Sequence, residues 1–311
     1  MRFLRLFILF YFILVCLSCS KQIDNVENTP IVLKNIKYGE LESNLLDVYN
    51  YTTNHKSNSI LLFVHGGGWN SGDKNIGWDE NKIRFFASNG FITATLNYTL
   101  SPMPIALDNP ERIQHPAHIR DIAKAVKWLV NNAKSFGGNA NIYLLGHSAG
   151  AQLVGLLATN HRFLKEENLD ISIIKGVITL DGGAYMADLD LLLSDDEVFT
   201  DSYYVEIKYA YLNAFGLDST IHIDACPLYH ITKEKNIPPF LLIYSDIEYR
   251  RRTNEKLYQK LIEENHQATQ FMAAGYDHSK ILNCIGSSND SAGVSSYIIF
   301  FLNSLNEKID K

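Results

Sequence analysis

The chain has 311 residues, 46% of them apolar and 20% charged, with 28 Lys+Arg against 34 Asp+Glu for a formal net charge of −6. That apolar content excludes a disordered chain, a collagen-like fibre does not fit it, and the pattern is not that of a multi-span membrane protein. Positive charge is not in surplus and no basic run follows the first few residues, so no nucleic-acid partner is expected.

In chain order, Arg2 and Arg5 precede the apolar run Leu6 to Leu17, whose 17 − 6 + 1 = 12 residues suit the core of an export signal. Crossing a bilayer would need about 20. The run closes on Cys16-Leu17-Ser18-Cys19-Ser20, which resembles the lipobox of bacterial lipoproteins, with Cys16 where Leu is usual. The resemblance implies a signal peptide over 1–19, lipidation at Cys19 and a flexible tether over 20–30. The exported protein would then sit on a membrane surface of a bacterial envelope. Cleavage without lipid, giving a periplasmic or secreted protein, is the alternative. Cys16 and Cys19 spell C-x-x-C, but inside a targeting segment this is not read as a redox motif. Whether Cys226 and Cys284 pair is left open.

From residue 31 to 311 a single α/β domain is expected. Ile31 to Tyr38 and Leu45 to Tyr49 read as edge strands, and Ile60 to Val64 as a strand buried on both faces. There follow a helix over Asp79 to Ser88, a strand Phe91 to Asn97 and a long helix Ala117 to Ser135. In the long helix Ile119, Ile122, Ala123, Val126, Leu129, Val130 and Ala133 keep a helical period. Then come strand Ile142 to Leu145, helix Ala149 to Thr159, strand Lys175 to Leu180, strand Pro239 to Ser245, helix Thr253 to Asn265, strand Thr269 to Ala273 and helix Val294 to Leu305. Such alternation predicts a mostly parallel central sheet with helices on both faces. The 56 residues from Asp181 to Asn236 (236 − 181 + 1) lack a core strand, are rich in Tyr, and read as a lid-like insertion over 181–236.

Two strings carry chemistry. Gly146-His147-Ser148-Ala149-Gly150 is a G-x-S-x-G pattern set between a buried strand and a helix, the context a nucleophile elbow requires: its glycines permit a turn too tight for side chains. His65-Gly66-Gly67-Gly68-Trp69 follows the strand Ile60 to Val64. Its backbone N–H groups, with that of Ala149, can form an oxyanion hole. A phosphate loop is excluded because Asp73 stands where Lys is needed. A serine nucleophile needs a histidine base and an acid to orient it. His278 is the histidine that follows a terminal strand, and Asp246 ends the strand before it, with Glu248 and Asp277 as rival acids.

HGGGW, GHSAGAQL, the strand-end Asp246 and the loop His278 together resemble the α/β-hydrolase esterases of the hormone-sensitive-lipase-like and BD-FAE (feruloyl esterase-like) type, over residues 45 to 305. Arylformamidases have a similar arrangement. Asn97 to Pro102 resembles the family's Tyr-Arg-Leu-Ala-Pro, with Thr99 and Ser101 replacing Arg and Ala. The resemblance implies an α/β-hydrolase fold and a carboxylic ester hydrolase without cofactor or metal, acting on small or carbohydrate-borne acyl esters. Ser148 would attack, His278 would carry the proton, Asp246 would orient it, and the amides of Gly67, Gly68 and Ala149 would bind the oxyanion. Amide or formamide hydrolysis on the same triad is the alternative, and a non-catalytic binding protein with this fold is a third, since fold does not fix function.

Overall fold

The computed structural model describes residues 29–52, 58–103, 107, 109, 111–185 and 202–309, with the backbone only at 202–206 and 308–309. The expected signal segment, the anchor at Cys19, the tether as far as residue 28 and the middle of the insertion lie outside the described residues.

Eight strands form one sheet: β1 (Ile31–Lys37), β2 (Leu45–Asn50), β3 (Asn58–Val64), β4 (Ile92–Leu96), β5 (Gly138–His147), β6 (Ile174–Leu180), β7 (Phe240–Tyr244) and β8 (Ala268–Met272). Their order is β1-β2-β4-β3-β5-β6-β7-β8. The β1–β2 and β2–β4 pairs are antiparallel and every later pair is parallel. This is the mostly parallel sheet that the alternation of elements predicts, in the α/β-hydrolase arrangement that the family resemblance implies.

The apolar strand runs are continuous because both faces are covered. Ile60, Leu62 and Val64 of β3 enter one core cluster with Ile142 and Leu144 of β5. Leu61 and Phe63 enter the opposite one with Tyr143 and Leu145, as the period of two requires. Helix α1 (Glu80–Ser88) supplies Ile83 and Phe86 to the second cluster, whereas α2 (Ala117–Asn132) and α3 (Ala149–Thr159) cover the first. After the short helix α4 (Arg162–Glu166), the described part of the insertion holds α5 (Ser202–Phe215) and α6 (Ser219–Ala225). Helices α7 (Glu248–Glu263), α8 (His278–Asn283) and α9 (Val294–Ile309) complete the chain.

Several elements depart from the expected bounds, two of them for a local physical reason. Gly137 takes a left-handed conformation (φ 83°) that ends a 3-10 turn and sends the chain straight into β5, which therefore starts at Gly138 rather than Ile142. Helix α7 starts five residues before the expected Thr253, because its first turn is held by charge: Arg251 pairs with Glu248 at 2.6 Å and with Glu255 at 3.3 Å. Such a turn has no apolar period to read. Cys226 and Cys284 are both buried and no disulfide joins them; their thiols donate to the carbonyls of Tyr185 and Ile281. Among the described residues no helix is long and apolar enough to cross a membrane.

Candidate active site

The site lies at the C-terminal ends of the parallel strands. Strand β5 runs into α3 through Ser148, which sits at φ 55°, ψ −117°. A non-glycine residue in that region is strained by about 1–3 kcal/mol, and such strain persists only where its surroundings enforce it. Here two bare backbones enforce it. A Cβ on Gly150 would lie 2.1 Å from the carbonyl oxygen of Val64, and one on Gly146 would lie 2.2 Å from that of Gly150. The helix therefore packs directly on the end of β3, and the half-buried Ser148 is presented at the cavity wall.

The loop after β3 is held from several sides. Gly67 (φ 103°) and Gly68 (φ 56°) adopt conformations that L side chains rarely take. The carbonyl of Gly67 accepts from the N–H groups of Asn70 and Ser71 and from Ser71 Oγ, which fixes the peptide planes. The N–H groups of Gly67, Gly68 and Ala149 make no hydrogen bond among the described residues, so they remain available to an anionic oxygen. Trp69 Nε1 donates to Gln152 on α3 at 3.0 Å, and its ring packs edge-on against Phe215 of α5 at 4.9 Å. His65, stacked on Tyr98 at 4.4 Å, is kept neutral by burial, and its Nδ1–H donates to the carbonyl of Gly66 at 2.7 Å. Thr99 and Ser101, the two departures from the family string, serve the fold: Thr99 bonds Asp121 at 2.5 Å and Ser101 bonds His118 at 2.9 Å.

His278 opens α8 and lines the same cavity as Ser148. Its Nδ1 bonds a carboxylate at 2.6 Å, but the carboxylate belongs to Asp181. The expectation that Asp246 orients His278 is corrected by this geometry. Leu180, at the end of β6, pairs with Ile243 of β7, so Asp181 lies beside the residues that follow β7, and its own N–H donates to the carbonyl of Ile243 at 2.7 Å. Ser245 points inward and donates to Asp181 Oδ1 from its backbone N–H at 2.8 Å and its hydroxyl at 2.9 Å. Asp246, one residue further, falls on the outward side, is exposed, and among the described residues accepts from the N–H of Gly275 at 3.3 Å. The rivals are placed elsewhere too. Glu248 pairs with Arg251, and Asp277 caps α8 by accepting from Lys280 N at 2.7 Å.

Asp181 is fully buried, yet its pKa is brought down to about 2. Burial alone would raise it; the His278 hydrogen bond, the Arg250 guanidinium and the Ser245 donors outweigh that. Arg250, from α7, is itself buried, places Nε 3.8 Å from Asp181 Oδ2, and donates from Nη1 to the Asp181 carbonyl at 2.7 Å. The pKa of His278 is lowered, first by burial and then by Arg250, against the upward pull of Asp181. His147 stacks on His278 with ring centroids 4.5 Å apart, and burial takes its pKa down to about 3. Being neutral, its Nε2–H donates to the His278 carbonyl at 2.9 Å and ties α8 to the elbow. Two residues of this site, Asp181 and Arg250, were not found from sequence. A signal for the first exists: Leu180-Asp181-Gly182 has the form of a strand-end acid as clearly as Ser245-Asp246 does. Among the described residues no cluster of three or more His, Cys, Asp or Glu could hold a metal ion.

A strained serine between strand and helix, on a sheet of this order, defines an α/β-hydrolase. The chain belongs to the BD-FAE family, whose family model matches residues 46–261. It is 32% identical over 157 residues to an isoprenylcysteine alpha-carbonyl methylesterase of Arabidopsis thaliana, covering 49% of this chain and 34% of that one. It is likewise 32% identical over 121 residues to a kynurenine formamidase of Meyerozyma guilliermondii, covering 39% and 40% of the two chains. The chain thus spans well under half the length of these curated relatives. Among solved structures it is similar to esterase B from Lactobacillus rhamnosis, with a TM-score of 0.70 at 17% identity over 91% of this chain and 88% of that one. It is also similar to a truncated carbohydrate esterase from gut microbiota, with a TM-score of 0.67 at 16% identity over 88% and 96%.

Proposed function

We propose that the protein is a serine-dependent carboxylic ester hydrolase acting through Ser148, His278 and Asp181 on small or carbohydrate-borne acyl esters. The observation that carries this reading is the joint placement of a strained, cavity-facing Ser148 and a His278 whose Nδ1 is held at 2.6 Å by a buried carboxylate. With Nδ1–H donated to Asp181, Nε2 is the ring nitrogen that can take a proton. Ser148 Oγ forms a bond to the acyl carbon while its proton passes to Nε2. The negative oxygen is met by the N–H groups of Gly67, Gly68 and Ala149. The carbon–alcohol bond then breaks and the alcohol leaves with the proton from Nε2. Water, deprotonated by the same nitrogen, frees the acid and restores Ser148.

Ser148→Ala tests the reading: kcat on a p-nitrophenyl ester should fall by roughly 10⁴- to 10⁶-fold in a protein that still folds. Undiminished turnover would refute it. The likeness to a kynurenine formamidase favours a second reading, formamide hydrolysis on the same residues. Comparing kcat/KM on N-formylkynurenine with that on an aryl acetate ranks the two. We also infer a lipid anchor at Cys19 that holds the enzyme on a membrane surface of a bacterial envelope.

A further inference from the structure

We propose that Gln152 is a positioning residue for the oxyanion hole: it acts through Trp69, and it ties that hole to the C-terminal end of α6 in the insertion. The inference deepens the serine-hydrolase reading and rests on it.

Three consecutive residues after β3 have positive φ: Gly67 at 103°, Gly68 at 56° and Trp69 at 59°. The glycines take such angles at little cost, whereas a bulky aromatic residue there is an outlier. Backbone strain of this kind persists only where the surroundings impose it. At Trp69 they grip both backbone and side chain. Its carbonyl accepts from the N–H of Ser101 at 2.8 Å. Its ring, 5% exposed, stands edge-on to Phe215 and Tyr211 with centroids at 4.9 and 6.1 Å, and its Nε1–H donates to Gln152 Oε1 at 3.0 Å. The φ of Trp69 sets the angle at which the chain leaves Gly68. Relaxation into an ordinary region would swing the Gly67 and Gly68 amides relative to Ser148.

Gln152 lies four residues after Ser148, about one helical turn along the same side of α3. One helix thus carries the nucleophile, the Ala149 donor and the hook that holds Gly67 and Gly68 at a fixed distance from both. The Gln152 side chain is 1% exposed and bonded at each end, for its Nε2 also donates to the carbonyl of Ala225 at 2.6 Å. Ala225 is the last residue of α6, where helix carbonyls lack partners within the helix. The indole offers only a donor and the carbonyl only an acceptor, so a neutral amide bridges them in a single orientation. Methionine, of similar reach, makes neither bond, and an ionised glutamate cannot donate to the carbonyl. The described end of the insertion is therefore part of the scaffold that sets the oxyanion hole.

Gln152→Met and Trp69→Phe each remove the indole–amide bond and keep most of the side-chain bulk. In each, kcat on p-nitrophenyl acetate should fall about 10- to 100-fold with KM within about threefold, since a displacement of about 1 Å at the reacting groups costs up to about 10²-fold. An aryl trifluoromethyl ketone, whose hemiketal with Ser148 places an oxyanion in the hole, should lose affinity by the same factor. Active enzyme is counted by stoichiometric phosphorylation of Ser148 with paraoxon, so partial unfolding lowers the count and leaves both constants unmoved. The double variant should match Gln152→Met within about twofold, because the two changes act on one bond. Unchanged kcat in Trp69→Phe, a fall in kcat with unchanged affinity for the ketone, or losses that multiply in the double variant overturn the proposal. Trp69→Phe decides alone where Gln152→Met does not fold. Any of these in a protein whose wild type hydrolyses the ester and binds the ketone defeats the positioning inference alone. A wild type that paraoxon does not phosphorylate and that turns over no ester defeats the serine-hydrolase reading and this inference with it.

Discussion

Exchanging one oxygen for an NH₂ at residue 181 discriminates between the two strand-end acids. In Asp181→Asn the amide oxygen stays with the Ser245 donors, both of which reach Oδ1. The NH₂ therefore occupies the place of Oδ2, which faces His278 Nδ1 at 2.6 Å. Two donors cannot share that bond, so the imidazole shifts its proton to Nε2 and presents a donor where a base is required. The loss expected from a wrong tautomer is on the order of 10⁴ in kcat, or about 5.5 kcal/mol at roughly 1.36 kcal/mol per decade. KM should change by only a few-fold, because Asp181 is fully buried and does not line the cavity around Ser148. Asp246→Asn removes charge from an exposed group whose one described bond is 3.3 Å long, and should change kcat less than about tenfold. Both variants, confirmed as folded by circular dichroism, are compared on p-nitrophenyl acetate above the histidine limb of the pH profile. A loss of 10³-fold or more in Asp246→Asn, with Asp181→Asn close to wild type, would refute the reasoning.

The pH profile follows from the same contacts. Protonated His278 cannot accept the serine proton, so kcat/KM should rise with pH, and because burial and Arg250 lower its pKa, the midpoint should lie below about 6.5. Arg250→Met removes the repelling cation and should move that limb upward, in a site where Asp181, Asp277 and His147 are the other titratable neighbours. Gly150→Ala should cost about 3 kcal/mol or more, read as a large drop in Tm, since its Cβ would meet backbone at 2.1 Å. Gly90→Ala, at positive φ but with nothing within 4 Å, should cost only about 1–2 kcal/mol. Cys19→Ala should move the protein from the membrane fraction to the soluble fraction; unchanged sedimentation would refute the lipid anchor.

What could be read from sequence divides along local and non-local lines. The elbow and the HGGGW loop were legible because each is a local demand on backbone conformation: Gly146, Gly150, Gly67 and Gly68 stand where a Cβ would clash or φ is positive. The histidine was legible from its place after the last strand. The acid was not, because two strand ends offer an aspartate and the choice depends on register across β6 and β7. That register turns Ser245 inward and Asp246 outward, and it brings Asp181, assigned from sequence to the start of the insertion, onto His278. Arg250 was hidden in the run Arg250-Arg251-Arg252, where nothing local separates the buried guanidinium from the partly exposed Arg251.

The central claim is that Ser148 becomes acylated during turnover. Rapid acid quench of the enzyme mixed with excess p-nitrophenyl acetate, followed by peptide mass spectrometry, tests it directly. An acetyl group on the peptide carrying Ser148 within the first turnovers, absent from Ser148→Ala, is the result expected. Steady hydrolysis with the acetyl group on another residue, or equal turnover by Ser148→Ala, would contradict the claim.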